Sequence, residues 1–391
     1  MDLINNPYSP GAGVPPPELA GRENILRAAE NIIKRVQNGY SAQSLILLGL
    51  RGVGKTVLLN RIDQIAETAG CETSIFEADM ERRLPQLLTQ QLHRLLLKLD
   101  RRKRMGDEVQ KAFSLLQAFA GIFRVHVGEF QVGVAGPMVT GDLAIDLTDL
   151  LVAIGEAAKA RNTVAVILVD EVQYIAKDDL GALIMALHRI SQRQLPLLFF
   201  GAGLPQLAQL AGDAKSYSER LFAYPGVGPL DHDGACRALV EPARREGVEF
   251  ETEALDIILE ETEGYPFFLQ VWGSHVWQVA KASPITAADA CEASKRAVAA
   301  LDESFFKVRF ERLTERQQHY ARAMAEFGNE PANSTAVASL LGMTVKKAAP
   351  VRDEVIKKGM AYSPKRGLVA FTVPKFDEFM KRAMPELPSA P

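Results

Sequence analysis

One octapeptide narrows the choice of fold more than anything else in this chain: Gly49-Leu50-Arg51-Gly52-Val53-Gly54-Lys55-Thr56. It fits G-x-x-x-x-G-K-[ST], a pattern in which a loop wraps its backbone N–H groups around a polyphosphate. Glycines permit backbone conformations and a close approach that side chains would block. A helix starting at the lysine then points its positive N-terminal end at the anion. The flanks supply that context. Ser44–Leu48 is a short apolar run, and residues from about Lys55 to Ala69 carry helical spacing. By average composition, a chance match in a chain of 391 residues is about 1 in 100. Lys55 is expected to neutralise β- and γ-phosphate oxygens, and Thr56 to place its hydroxyl on Mg2+.

Such a loop needs a second oxygen donor for the metal. Val164-Ala165-Val166-Ile167-Leu168-Val169 is a continuous apolar run of the kind buried on both faces of a parallel sheet, and it ends in Asp170-Glu171. The carboxyl ends of such strands face the ligand crevice. Asp170 is the expected Mg2+ partner, and Glu171 is placed to polarise an attacking water as general base. An acidic pair at a strand end is by itself often a solvated turn; the octapeptide gives this one its meaning.

The remaining pattern alternates strands and helices as far as about Gly226. A helix is expected over about Glu23–Gln37, a strand over Thr73–Phe76 and helical residues over 85–120. A hairpin is expected over Phe123–Ala135, helices over Leu147–Ala160 and about Gly181–Gln194, and a strand over Leu197–Phe200. This alternation implies a doubly wound parallel sheet. Residues 232–300 read as short helices separated by Pro242, Gly247, Gly264-Tyr265-Pro266 and Pro284. The organisation expected is an extended arm over 1–21 and an α/β core over 22–228 with an insertion at about 81–145. A helical lid over 229–305 and a C-terminal module over 306–391 complete it.

Charge separates the last module from the rest. Residues 306–391 hold fifteen Lys and Arg against nine Asp and Glu, a net of +6, in a chain whose net is −3; the remainder is therefore −9. The total excludes a histone-like polycation. Thr314 is a plausible cap for a helix to Phe327, Ser334 for one to Leu341, and a third runs from about Thr344 to Gly359 with Pro350 placed to kink it. Short strands Met360–Ser363 and Leu368–Thr372 follow around Pro364-Lys365-Arg366-Gly367. Three helices and a hairpin make a winged helix-turn-helix, which can set its last helix in a major groove. Lys346, Lys347, Arg352, Lys357, Lys358, Lys365 and Arg366 are its candidate phosphate contacts on double-stranded DNA. Docking to protein is the other use of such a module. Arg101-Arg102-Lys103-Arg104 reads as a solvated helix end in preference to a nucleic-acid site.

Other classes find little support. No apolar run approaches the roughly 20 residues of a membrane helix, and the N-terminus has neither the basic start nor the apolar stretch of a secretory signal. Cys71, Cys236 and Cys291 lack metal-ligand spacing, so reduced thiols and a cytoplasmic location are expected. His93, His126, His188, His232, His275 and His319 are scattered. Trp272 and Trp277, with Phe267, Phe268 and Val271, read as the apolar side of a helix.

Taken together, the phosphate loop, the Asp-Glu strand, the helical lid and the C-terminal winged helix resemble AAA+ ATPases. Within them the likeness is to the origin-recognition or initiator-like group and the archaeal-type, STAND-related ATPases. Leu19-Ala20-Gly21-Arg22-Glu23 is similar to the box that opens this group, which implies Arg22 beside the adenine. Gly264-Tyr265-Pro266-Phe267-Phe268-Leu269-Gln270 looks like its lid motif. The resemblance implies binding of ATP and ADP with Mg2+, ATP hydrolysis and closure of the lid on the core. It also implies a trans-acting arginine finger at Arg220 in an ATP-dependent homo-oligomer; an ordinary Glu219/Arg220 surface pair is the alternative. Two departures point to slow turnover. Phe200-Gly201-Ala202-Gly203 brings no polar sensor after the fourth core strand, and the lid motif carries no arginine. A DNA-bound ATPase and a STAND-like switch whose winged helix contacts protein both remain open at this level.

Overall fold

The computed structural model describes residues 1–11, 13–100, 106–125 and 139–387, arranged in two compact units. One comprises residues 22–49 and 55–227; the other comprises 1–21, 50–54 and 228–391.

In the first unit the continuous apolar runs become the centre of a parallel five-stranded sheet. Its elements in chain order are α1 (Glu23–Gln37), β1 (Ser44–Leu48), α2 (Lys55–Thr68), β2 (Glu72–Glu77), α3 (Leu84–Asp100), α4 (Asp107–Ile122), α5 (Leu143–Ala160), β3 (Ala165–Asp170), α6 (Lys177–Gln192), β4 (Leu197–Gly203), α7 (Leu207–Ala214), α8 (Ser218–Leu221) and β5 (Phe222–Ala223). The strand order is β2-β3-β4-β1-β5. Every residue of β3 and β4 is buried, as expected where helices cover both faces. The register pairs Leu48 with Gly203, Val169 with Gly201 and Glu77 with Asp170, so the carboxyl ends of four strands finish together. Leu151 and Ile154 of α5 and Leu183 and Leu187 of α6 belong to one apolar core with Ile167 and Phe199. Each such side chain contributes roughly 1.5–3 kcal/mol when fully buried.

The second unit is a helical bundle followed by a small mixed module. The bundle comprises α9 (His232–Arg245), α10 (Thr252–Thr262), α11 (Pro266–Val279) and α12 (Ala287–Ala300). A π-helical turn, Leu301–Phe306, leads into α13 (Lys307–Glu311). Then come α14 (Glu315–Ala325), β6 (Ala332–Asn333), α15 (Ser334–Leu340), α16 (Val345–Lys357), β7 (Ala361–Tyr362), β8 (Leu368–Phe371) and α17 (Phe376–Ala383). β6, β8 and β7 form an antiparallel sheet in that order. Among its described residues the N-terminal arm has no helix or strand, but it is anchored on the bundle. The Tyr8 hydroxyl donates to the Leu239 carbonyl at 2.6 Å, and its ring lies so close over Gly273 that a Cβ there would stand 2.5 Å from it.

Several expectations need correcting. Pro242 does not separate helices; it lies within the C-terminal part of α9. Asn333, not Ser334, caps α15, its side chain accepting from the Thr335 N–H at 2.8 Å. α6 begins at Lys177, before the expected Gly181, because Asp178 and Asp179 belong to its first turn. α16 continues through Pro350. The basic run Arg101–Arg104 and most of the hairpin expected over Phe123–Ala135 lie outside the described residues. Among the described residues no helix is long and apolar enough to cross a membrane.

Candidate nucleotide site

The loop between β1 and α2 takes its shape from glycine. Gly52 and Gly54 have φ of 85° and 92°, a left-handed region that L side chains rarely adopt. Lys55 and Thr56 open α2, and the Lys55 side chain is buried. The Thr56 Oγ1 donates to Oδ2 of Asp170 at 2.6 Å, and Asp170, 7% exposed, ends β3. A hydroxyl and a carboxylate at this separation are a hard oxygen pair of the kind Mg2+ takes alongside phosphate oxygens, so the two residues fit that ion.

The chain turns sharply after Asp170. Its Oδ1 accepts the N–H of Glu171 at 2.8 Å, and Glu171 is left-handed with φ of 52°. That conformation costs about 1–2 kcal/mol for a residue with a Cβ. It opens a single 3-10 turn, Val172–Tyr174. Gln173 in that turn donates its amide N–H to the Glu171 carboxylate and accepts the Leu204 N–H at 3.0 Å. It therefore ties the end of β3 to the residue after β4. Gly203 makes room for it, since a Cβ there would lie 2.5 Å from Gln173 Oε1 and 2.7 Å from Leu207. The space where sequence reasoning looked for a polar sensor after β4 holds an amide delivered from β3. Only the Glu-x-Gln spacing hinted at it.

Residues 50–54 belong to the second compact unit, whose lid motif and C-terminal module bind their backbone. The Tyr265 hydroxyl donates to the Arg51 carbonyl at 2.8 Å. Burial holds that phenol well above the usual tyrosine range, so it remains a donor. The Phe267 N–H donates to the Gly52 carbonyl at 3.2 Å, and the Arg51 N–H donates to the Thr372 carbonyl at 3.0 Å. Tyr265 and Phe267 both stand 3.2 Å from where a Gly52 Cβ would be, so this glycine is needed for close approach as well as for its φ. Tyr265 thus gives the lid motif a contact with the loop that sequence reasoning had not assigned.

The other candidates are more dispersed. Arg22 precedes α1, its carbonyl accepts the N–H groups of Ile25 and Leu26 and its side chain is buried. Arg220 is exposed on α8 and makes no ion pair among the described residues, so the alternative of a Glu219 surface pair is not seen there. Lys346, Lys347, Lys365 and Arg366 are exposed, as is Lys357. Arg352 is turned onto Asp353 at 2.8 and 3.0 Å. Lys358 is spent on the Arg312 carbonyl and the Gln317 side chain, at 2.6 and 2.7 Å. Trp272 is fully buried, with its indole N–H on Ser294 at 2.9 Å, as a core residue would be.

Comparison with known proteins agrees with this geometry. Residues 18–200 match the family described as AAA ATPase domain, and residues 303–380 match a domain of unknown function (DUF8462). No curated protein matches the chain. Among solved structures, the Walker-type ATPase paby2304 of Pyrococcus abyssi is 15% identical with a TM-score of 0.57, over 93% of this chain and 96% of that one. The Aeropyrum pernix ORC1 protein, solved in complex with DNA, is 14% identical over 93% of each chain with a TM-score of 0.48. The Thermotoga maritima RuvB Holliday junction branch migration motor is 15% identical, over 95% of this chain and 97% of that one, with a TM-score of 0.43. At such identities likeness speaks for fold alone, and only the first is near enough in shape to do so. Residues 18–200 thus match an AAA ATPase domain, and the fold that carries them is that of a P-loop NTPase.

Proposed function

We propose that this protein is an initiator-like AAA+ ATPase that binds ATP with Mg2+, hydrolyses it slowly and uses the cycle as a conformational switch. The observation that carries the nucleotide part is the Thr56–Asp170 hydrogen bond beside the buried Lys55. In this reading the backbone of Gly49–Gly54 cradles the phosphates and Lys55 offsets their charge. Thr56 and Asp170 are the oxygen donors for the metal, which would polarise the phosphate oxygens when bound. Arg22 lies by the adenine. Glu171 takes a proton from water as the water oxygen bonds the γ-phosphorus and the bond to the bridging oxygen breaks. Its hydrogen bond to Gln173 must loosen first, which supports slow turnover. Arg220, exposed and without an ion pair among the described residues, is the candidate finger for a neighbouring copy.

The same reading makes residues 306–391 a winged helix-turn-helix on double-stranded DNA. The order α14, β6, α15, α16, β7, β8 supports it, as do the exposed Lys346, Lys347, Lys365 and Arg366. ATP moves such a switch only by binding one state better than the other. One observation favours the second reading, a STAND-like switch whose module contacts protein: the Thr372 carbonyl rests on the loop itself. ATP hydrolysis at low salt, with and without mixed-sequence duplex DNA and with light scattering for mass, separates them. DNA-stimulated turnover is expected. Turnover indifferent to DNA with mass rising on ATP would give the protein-contacting switch instead.

A further inference from the structure

The lid and the C-terminal module meet without a loop between them. α12, the π-helical turn Leu301–Phe306 and α13 run on as one helical stretch over residues 287–311, inside one compact unit. Ala300, Leu301, Phe306 and Lys307, which flank the joins, all keep helical backbone angles. Domain hinges need a few loop or terminal residues to absorb a change of dihedrals. This boundary offers no such loop.

The π turn has a different effect: it sends two adjacent rings to different partners. Phe305 stacks on Phe267 of α11 with centroids 4.8 Å apart. Phe306, 1% exposed, lies 5.4 Å from Phe379 and 5.9 Å from Phe376 of α17. The two adjacent rings stand edge to face at 5.2 Å, and Phe376 passes the contact on to Phe371 of β8 at 5.4 Å. Such separations are those of attractive aromatic pairs. A core packed in this way does not deform by degrees.

Charged groups close the seam around the rings. Arg382 of α17 donates two hydrogen bonds to the Asp302 carboxylate, at 2.7 and 2.8 Å, a fork that fixes orientation as well as distance. Lys375 lies between Glu378 at 3.3 Å and Glu263, the residue that ends α10, at 3.8 Å. Exposed ion pairs add little stability, so the rings supply the cohesion and the carboxylates set the angle.

We propose that lid and C-terminal module are a single rigid body, with one geometry between α10–α12 and α14–α17 whichever nucleotide is bound. A shift of the lid then carries the exposed cations of α16 and of the β7–β8 turn with it, and the module has no joint of its own. This deepens the reading of a nucleotide-driven switch and rests on it for the shift of the lid.

The test is the distance between two spin labels in the full chain, one on the exposed native Cys291 of α12 and one on Glu354→Cys, an exposed position of α16. Cys236→Ser leaves those two as the reactive thiols, since Cys71 is buried. One narrow distance is expected without nucleotide, with Mg2+ and ADP, and with Mg2+ and a non-hydrolysable ATP analogue, its mean constant to within about 3 Å. Phe306→Ala removes the ring shared by both sides and should broaden the distribution or add a second distance in all three conditions. A larger shift of the parent's mean overturns the proposal, and so does a Phe306→Ala distribution as narrow as the parent's. If that variant does not fold, Phe379→Ala with Arg382→Ala, which alters only the module's side of the seam, decides in its place. A parent that binds neither nucleotide by calorimetry ends the switch reading, and the alanine variants still decide the rigid body.

Discussion

Thr56 gives its hydroxyl proton to Asp170 across 2.6 Å, joining the first turn of α2 to the last residue of β3. Two elements far apart in sequence thereby hold their oxygens side by side, which would lower the ordering cost of binding a cation there. Asp170→Asn should therefore lower turnover about 100-fold or more at saturating ATP and Mg2+. Lys55→Ala should remove nucleotide binding altogether, measured by titration calorimetry.

Glu171 and Gln173 make an opposed pair. Glu171→Gln should bind ATP as the parent does and lose turnover by about 10^2–10^4. An unchanged rate would remove Glu171 from the role of base. Gln173→Ala frees the Glu171 carboxylate from its amide and should raise the rate at saturating ATP. A fall would mean that Gln173 holds Glu171 in its working position.

The exposed pair Lys365 and Arg366 in the β7–β8 turn gives a prediction for duplex DNA. Changing both to alanine should flatten the slope of log affinity against log salt by about 2, roughly one per phosphate contact. Arg352→Ala should leave the slope nearly as it was, because that guanidinium is already bonded to Asp353.

Asp377 offers a test of stability. It is 6% exposed at the start of α17, its Oδ1 has no hydrogen-bond partner, and burial raises its pKa against the lowering pull of the Glu378 and Asp377 backbone N–H groups. Because the folded value lies above the unfolded one, the folded state is penalised once pH rises past the unfolded value of about 3.9. Asp377→Asn should thus stabilise the protein by about 1 kcal/mol at neutral pH. The gain should vanish near pH 3, where the carboxyl is protonated in both states. Urea midpoints at the two pH values check this.

How far the fold could be read from sequence followed how local its causes are. α1 appears over Glu23–Gln37 as expected, since the spacing of Ala29, Ile33 and Val36 alone defines its buried face. The apolar runs of β1, β3 and β4 announced a buried sheet in the same way. The loop and the acidic pair at the end of β3 were legible because a short motif stood in the right context. Gln173 was not, since its role exists only once Gly203 leaves a space beside it. Tyr265 and Thr372 meet the loop through tertiary packing that no spacing records. Pro242 misled because a proline late in a helix resembles a break between two helices.

The hydrogen bond from the Arg51 amide to the Thr372 carbonyl makes one peptide group a gauge of two events. That proton can exchange with solvent only when the loop and the strand end beyond β8 part company. Its protection, followed in D2O with ADP, with a triphosphate analogue and with DNA, would report how firmly the C-terminal module is clasped in each state. A single slow or fast amide would then say whether nucleotide locks the module down or lets it go.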